Sequence, residues 1–220
     1  MRKFTLLAAL VLGAAGATQA QTTGVQFGLK AGLSEAVLDG ALNQDANFKT
    51  GAHFGGFLRW RPSARVALQP ELVFSQQGSS NKIPLSVVTL ENKTKLNYLN
   101  IPVLLKVYLG DVVNLQVGPQ FGLLMSAHLD GQTGYTSSSN GNSYRVENVD
   151  QKDFYKGDIG LCGGLGVDLK NGLLFAARLN YGLTDITKDE NTKKMRDYFG
   201  IGGLHNRVIE ASVGYAFGSK

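Results

Sequence analysis

The run DIGLCGGLGVDLKNG, residues 158–172, holds five glycines and the only cysteine of the chain. A glycine-rich loop cradles phosphate when it joins a strand to a helix. A thiol becomes a nucleophile when a base stands within hydrogen-bond reach. Here the glycines lead into KNG, a tight turn, and another strand pattern follows, so the phosphate-loop context is missing. A second group with hydrolase or acyltransferase chemistry is Ser126, His128, Asp130 and His205, but nothing in their spacing sets a nucleophile against a base. Three separated histidines and one cysteine match no metal-ligand spacing, and no cofactor is expected. The basic residues are scattered rather than gathered on one face, which argues against a nucleic-acid partner.

What must position these residues is read from the chain ends inward. The start, MRKFTLLAALVLGAAGATQA, has Arg2 and Lys3, an apolar run from Phe4 to Ala17, and small residues before Gln21. That is the layout of a secretory signal peptide, expected over 1–20, with one domain over 21–220. The apolar run is shorter than the roughly 20 residues of a membrane-spanning helix. The formal charge of +5 becomes +3 once Arg2 and Lys3 are left out. A single cysteine excludes an internal disulfide framework. Glycine, 28 of 220 residues, is well above the usual share of about 7%.

After Gln21 the chain alternates with period two in eight segments, the mark of strands with one apolar and one polar or small face. Val25, Phe27, Leu29, Ala31 and Leu33 oppose Gln26, Gly28, Lys30 and Gly32. Phe54, Leu58 and Trp60 oppose His53, Phe57 and Arg59, and Leu68, Leu72 and Phe74 oppose Gln69, Glu71 and Ser75. The same rhythm recurs over 98–108, 113–127, 158–169, 173–184 and 208–217. Pro70, Pro102 and Pro119 lie inside these strands, where each removes a ladder donor and marks a candidate bulge.

The gaps between strands alternate. Residues 61–64, 109–112 and 170–172 are short, whereas 34–49, 77–95, 128–156 and 186–206 are long and polar. Short turns alternating with long loops indicate an eight-stranded antiparallel transmembrane β-barrel, with the turns in the periplasm and the loops outside. A soluble lipocalin-like barrel is the rival; it would place the apolar face inward. The polar face here is rich in glycine and carries isolated charges of both signs, and aromatic residues cluster toward strand ends. Both features favour a barrel surrounded by the lipid of the cell outer membrane.

In that arrangement Lys30, Arg59, Glu71, Lys106, Arg178 and Glu210 share the lumen. Eight strands enclose a space just wide enough for side chains to fill, and buried ions must be matched. A charge network is therefore expected, with Glu71 on Arg59 and Glu210 on Lys30 or Arg178. Cys162 becomes a small lumen residue beside glycines that leave room for Arg178. The role expected is structural or interactive, through the loops, with 128–156 (Tyr135, Tyr144, Arg145) the first candidate for an extracellular ligand or protein partner. A narrow small-solute channel is the alternative, and a lipid-modifying enzyme at the outer rim is a weaker one.

The phrases LQPELVFSQQG (68–78), LNYLNIPVLLKVYL (96–109), VGPQFGLLMSA (117–127), ARLNYGLTDI (177–186) and NRVIEASVGYAF (206–217) resemble the PorT-type outer-membrane β-barrel domain, the "porin family protein" of Bacteroidota-like bacteria. The likeness spans nearly all of 24–217 and implies the barrel fold. It brings no catalytic motif, and the namesake's part in secretion is not carried over.

Overall fold

The computed structural model describes residues 24–40, 46–84, 88–135, 144–200 and 202–218; the expected signal peptide lies outside them. The elements are β1 (Val25–Asp39), β2 (Ala46–Asn47), β3 (Lys49–Ser63), β4 (Val66–Pro84), β5 (Val88–Leu109), β6 (Val113–Tyr135), β7 (Tyr144–Asp150), β8 (Asp158–Asp168), β9 (Leu173–Gly182), helix α1 (Glu190–Tyr198) and β10 (His205–Phe217). Eight of the strands close a ring. β1 pairs β3, the ring runs on through β4, β5, β6, β8, β9 and β10, and β10 returns to β1. Every pairing is antiparallel. The short β2 and β7 pair with β4 and β6 outside the ring.

Closure leaves no sheet edge, which is what a lipid environment demands of backbone polar groups. The side chains sort as alternation requires. Leu29, Leu33, Leu58, Leu165 and Leu179 point outward and are each more than half exposed. Lys30, His53, Arg59, Glu71 and Cys162 point inward and are buried. Outward aromatic residues meet across strands: Phe27 stacks on Phe217 at 5.1 Å and Phe54 lies 5.4 Å from Phe74. An apolar belt outside and a polar fill inside rule out the soluble lipocalin-like arrangement, whose polarity is the reverse.

Three features differ from the sequence reading. The prolines make no bulge, for the register runs unbroken past Pro70, Pro102 and Pro119. The shifts fall instead near the turn after Trp60 and at Asn97/Tyr98, where Met125 is left unpaired on β6. That extra residue flips the phase of β6, so that Ala127 turns inward and is fully buried. The long segments are also less loop-like than expected. Pairing of β4 with β5 runs on from Gly78↔Lys95 to Pro84↔Thr89, so most of 77–95 is hairpin. Of 34–49, the first part belongs to β1; 128–156 contains the end of β6 and all of β7; 186–206 contains α1. The physical reason is that these extensions stand clear of lipid. A membrane strand needs only about ten residues, whereas β4, β5 and β6 have 19, 22 and 23. Beyond the bilayer neither face has to be apolar, so pairing continues while the alternating signal fades.

Where α1 leaves the barrel, Asp189 caps it by accepting from the Thr192 N–H at 2.7 Å, as a helix start requires. Substitution Leu29→Arg, at the middle of the outer belt, is expected to cost about 2–4 kcal/mol of folding free energy into bilayers. Tyr198→Arg, off the barrel, should cost nothing resolvable. Denaturant titration of refolding into vesicles measures both.

Candidate functional site

The lumen is the polar site of the molecule, and it is built around two carboxylates. Glu71, on β4, accepts from Arg178 NH1 and NH2 at 2.7 Å each, from Lys30 Nζ at 2.8 Å and from Gln69 Nε2 at 2.7 Å. The fork of Arg178 thus grips both oxygens, the strongest geometry for an arginine–carboxylate pair. Asp168, at the end of β8, takes Lys106 Nζ at 2.7 Å, Tyr108 Oη at 2.6 Å and Asn114 Nδ2 at 3.0 Å on one oxygen. Arg59 lies 3.3 Å from its other oxygen.

Two bridges tie these hubs together. Gln69 donates to Glu71 and accepts from Arg59 Nε at 2.7 Å and Lys106 Nζ at 3.4 Å. Arg178 Nε donates to Gln116, whose amide donates to Asn114, which reaches Asp168. The side chains concerned come from β1, β3, β4, β5, β6, β8 and β9, so the network crosses the barrel and pins its register.

All six expected lumen residues, Lys30, Arg59, Glu71, Lys106, Arg178 and Glu210, are at most 4% exposed. Their partners differ from those expected. Glu71 holds Arg178 and Lys30, not Arg59, and Arg59 turns to Asp168. Glu210 stands opposite Arg178 and Ser34 in register, but no ion pair or hydrogen bond joins it to another described residue. Asp168 is the residue that the network reading missed. Its place on the lumen face beside Cys162 was a usable signal, masked by its position next to the KNG turn. Cys162 is buried, its Sγ 3.3 Å from Gln120 Oε1.

The lumen-facing glycines of 158–168 make space as expected. A Cβ on Gly164 would collide with the Ala177 carbonyl and the Arg178 backbone, and one on Gly166 with Gln116 and Asn114. Gly172 serves differently, taking φ 92° in the turn, a backbone shape that glycine adopts without strain.

The rim constellation does not assemble. Ser126 Oγ bonds Asn97 at 2.8 Å, Asp130 pairs with Lys95, and His205 Nδ1 contacts the Thr184 carbonyl at 3.1 Å. The serine–histidine contact that does form is His53 Nε2 to Ser212 Oγ, 2.8 Å, sealed in the lumen. Of the expected contact residues Tyr135, Tyr144 and Arg145, the side chains lie outside the described set. Among the described residues no group of His, Cys, Asp and Glu is placed to hold a metal.

Along the axis the lumen divides into layers. An open vestibule of about 860 Å³ at the short-turn end stops at Arg59 and Asp168. Above the ion network lies a cavity of about 10 Å³ among Asn100, Gln120, Asn180 and Asn206, room for about one water. Above that, Leu38, Leu96, Tyr98, Ala127 and Ile186 form an apolar cap. Connectors lock over it: Ile186 N–H donates to Leu204 O and Lys156 N–H to Ile186 O.

Asp185 fastens α1 there, accepting from Arg196 NH2 at 2.5 Å and the Leu204 N–H at 3.1 Å. Burial alone would raise its carboxyl, but the Thr187 and Leu204 N–H groups and Arg196 outweigh that and hold it down at about 2.

A closed barrel with an outward apolar belt and a paired polar lumen defines an integral membrane β-barrel protein. The chain belongs to the outer membrane protein beta-barrel domain family, whose model matches residues 19–188, and it resides in the outer membrane. Solved structures to which it is similar include the attachment invasion locus protein Ail of Yersinia pestis in complex with the heparin analogue sucrose octasulfate. That match has 12% identity and TM-score 0.44, covering 88% of this chain and 99% of that one. Neisserial surface protein A gives 11% identity and TM-score 0.44, covering 87% and 98%. CarO of Acinetobacter baumannii gives 12% and 0.39, covering 84% and 96%. No curated protein matches the chain.

Two outcomes follow from this geometry. Glu71→Gln leaves two buried cations short of a counter-charge and should destabilise the barrel by about 3–5 kcal/mol. In a double-mutant cycle with Arg178→Met the two losses should fall well short of adding, as measured by denaturant titration. Asp185, with its folded value below the usual carboxylate range, stabilises the docking of α1 above about pH 4. That contribution should fade as pH falls toward about 2. Asp185→Asn should raise amide exchange over 190–198 at neutral pH without moving the barrel transition.

Proposed function

We propose that the protein is a side-chain-filled barrel with a structural or interaction role, exercised through the end that carries the long connectors. The observation that supports this most is the fill itself. Among the described residues, ion network, amide layer and apolar cap follow one another along the lumen. The long-connector end is assigned to the cell exterior and the short turns to the periplasm, on the general habit of such barrels. A non-enzymatic role belongs to the same reading: a nucleophile must reach a substrate, and the His53–Ser212 pair is sealed among lumen side chains. The finer likeness to PorT-type barrels rests on the phrases of the chain, and no part in secretion is taken from it.

Purified protein in planar bilayers is expected to show no steady conductance steps. Large, steady steps would overturn the filled-lumen reading in favour of a small-solute channel. A protease site placed in α1 should be cleaved on intact cells; protection there, with cleavage only after the outer membrane is opened, would reverse the orientation.

A further inference from the structure

A second cavity lies above the apolar cap, between it and the connectors, with a volume of about 340 Å³. Small-molecule sites span roughly 300–1,000 Å³. Its floor is apolar, made by Leu38 and Leu204 of the cap, and Phe154 and Tyr155 stand along one wall. Arg196 apart, the rest of the described lining mixes Leu129 with neutral polar groups, among them the side-chain amides of Asn92 and Gln151 and the hydroxyls of Thr94 and Thr192, the last already donating to Asp189. No hydrogen bond ties either amide to another described residue.

Arg196 is the only charged side chain among the described lining residues, and it is 6% exposed. Its NH2 is taken by Asp185, whereas its Nε has no partner. That donor is closed off from the cavity as well as from protein acceptors, so a ligand has to be held by the other polar groups of the lining. The charge of Arg196 is already matched by Asp185, so an anionic ligand would find no free cation. A wholly apolar ligand would strand the side-chain amides. An uncharged, hydroxyl-bearing molecule with one apolar face satisfies floor, wall and rim together.

We propose that this cavity binds a neutral sugar, a mono- or disaccharide, with its C–H face against Phe154 and its hydroxyls on the side-chain amides of Asn92 and Gln151. The inference rests on the reading that this end of the barrel is the interacting one.

The test is saturation-transfer difference NMR on the refolded full barrel in zwitterionic micelles, with maltose, lactose and N-acetylglucosamine as probes and glucuronate as the charged control. At least one neutral sugar should give saturable transfer and exceed glucuronate. Phe154→Ala and Gln151→Leu, both at the accessible rim, should each weaken it tenfold or more while the heat-modifiable gel band of the folded barrel stays unchanged. The proposal falls if no neutral sugar gives saturable transfer, if glucuronate binds better, or if both variants bind like the parent. Failure of the broader reading looks different: bilayer conductance, or an α1 site shielded on intact cells.

Discussion

Everything inside the barrel depends on the grip of Arg178 and Lys30 on Glu71. The side chain of Glu71 is fully buried, and a charge removed from water is tolerable only when its partners are close and its lone pairs are filled. Four donors meet that demand, and they come from three strands. Because each donor has needs of its own, the requirement spreads. Arg178 needs Gln116, Gln116 bonds Asn114, and Asn114 leans on Asp168, which gathers Lys106, Tyr108 and Arg59. Slipping any one strand by a residue would turn its contributor out to lipid. The network therefore specifies which closure of the ring is native, a task that outward leucines cannot perform because lipid accepts them in any register.

The bilayer imposes the complementary constraint. With no water in the hydrocarbon layer, the backbone has to pair completely, and the interior of eight strands has little room. Long side chains such as Arg178 can cross the lumen only if facing positions give way. Gly164 and Gly166 do so, and the run that resembles a phosphate loop is the relief cut around the largest lumen side chains.

The sequence made the barrel legible because lipid and lumen impress opposite chemistry on alternate residues, and 158–168 shows the rule as plainly as any strand. The lumen charges were legible as a set for the same reason. Their pairing was not, since partners come from different strands and depend on stagger around the ring: Arg59 and Glu71 sit on adjacent strands, yet Arg59 reaches Asp168. The extents of β4, β5 and β6 escaped notice because outside the membrane no face must be apolar. The phase flip at Met125, the apolar cap and the docking of α1 by Asp185 and Arg196 are tertiary events that leave no periodic trace.

A filled lumen confines the places where this protein can meet another molecule. The belt meets lipid chains, and the vestibule ends against Arg59 and Asp168. At the other end the cap does two things with the same side chains, since Leu38 and Leu204 seal the lumen below and floor the 340 Å³ cavity above. If the cavity is a binding site as proposed, sealing and recognition share the same side chains, for a cap that opened to pass solute would dismantle the cavity floor. The same leucines therefore tie the packing of the lumen to the shape of the cavity above it, so that neither can change without the other.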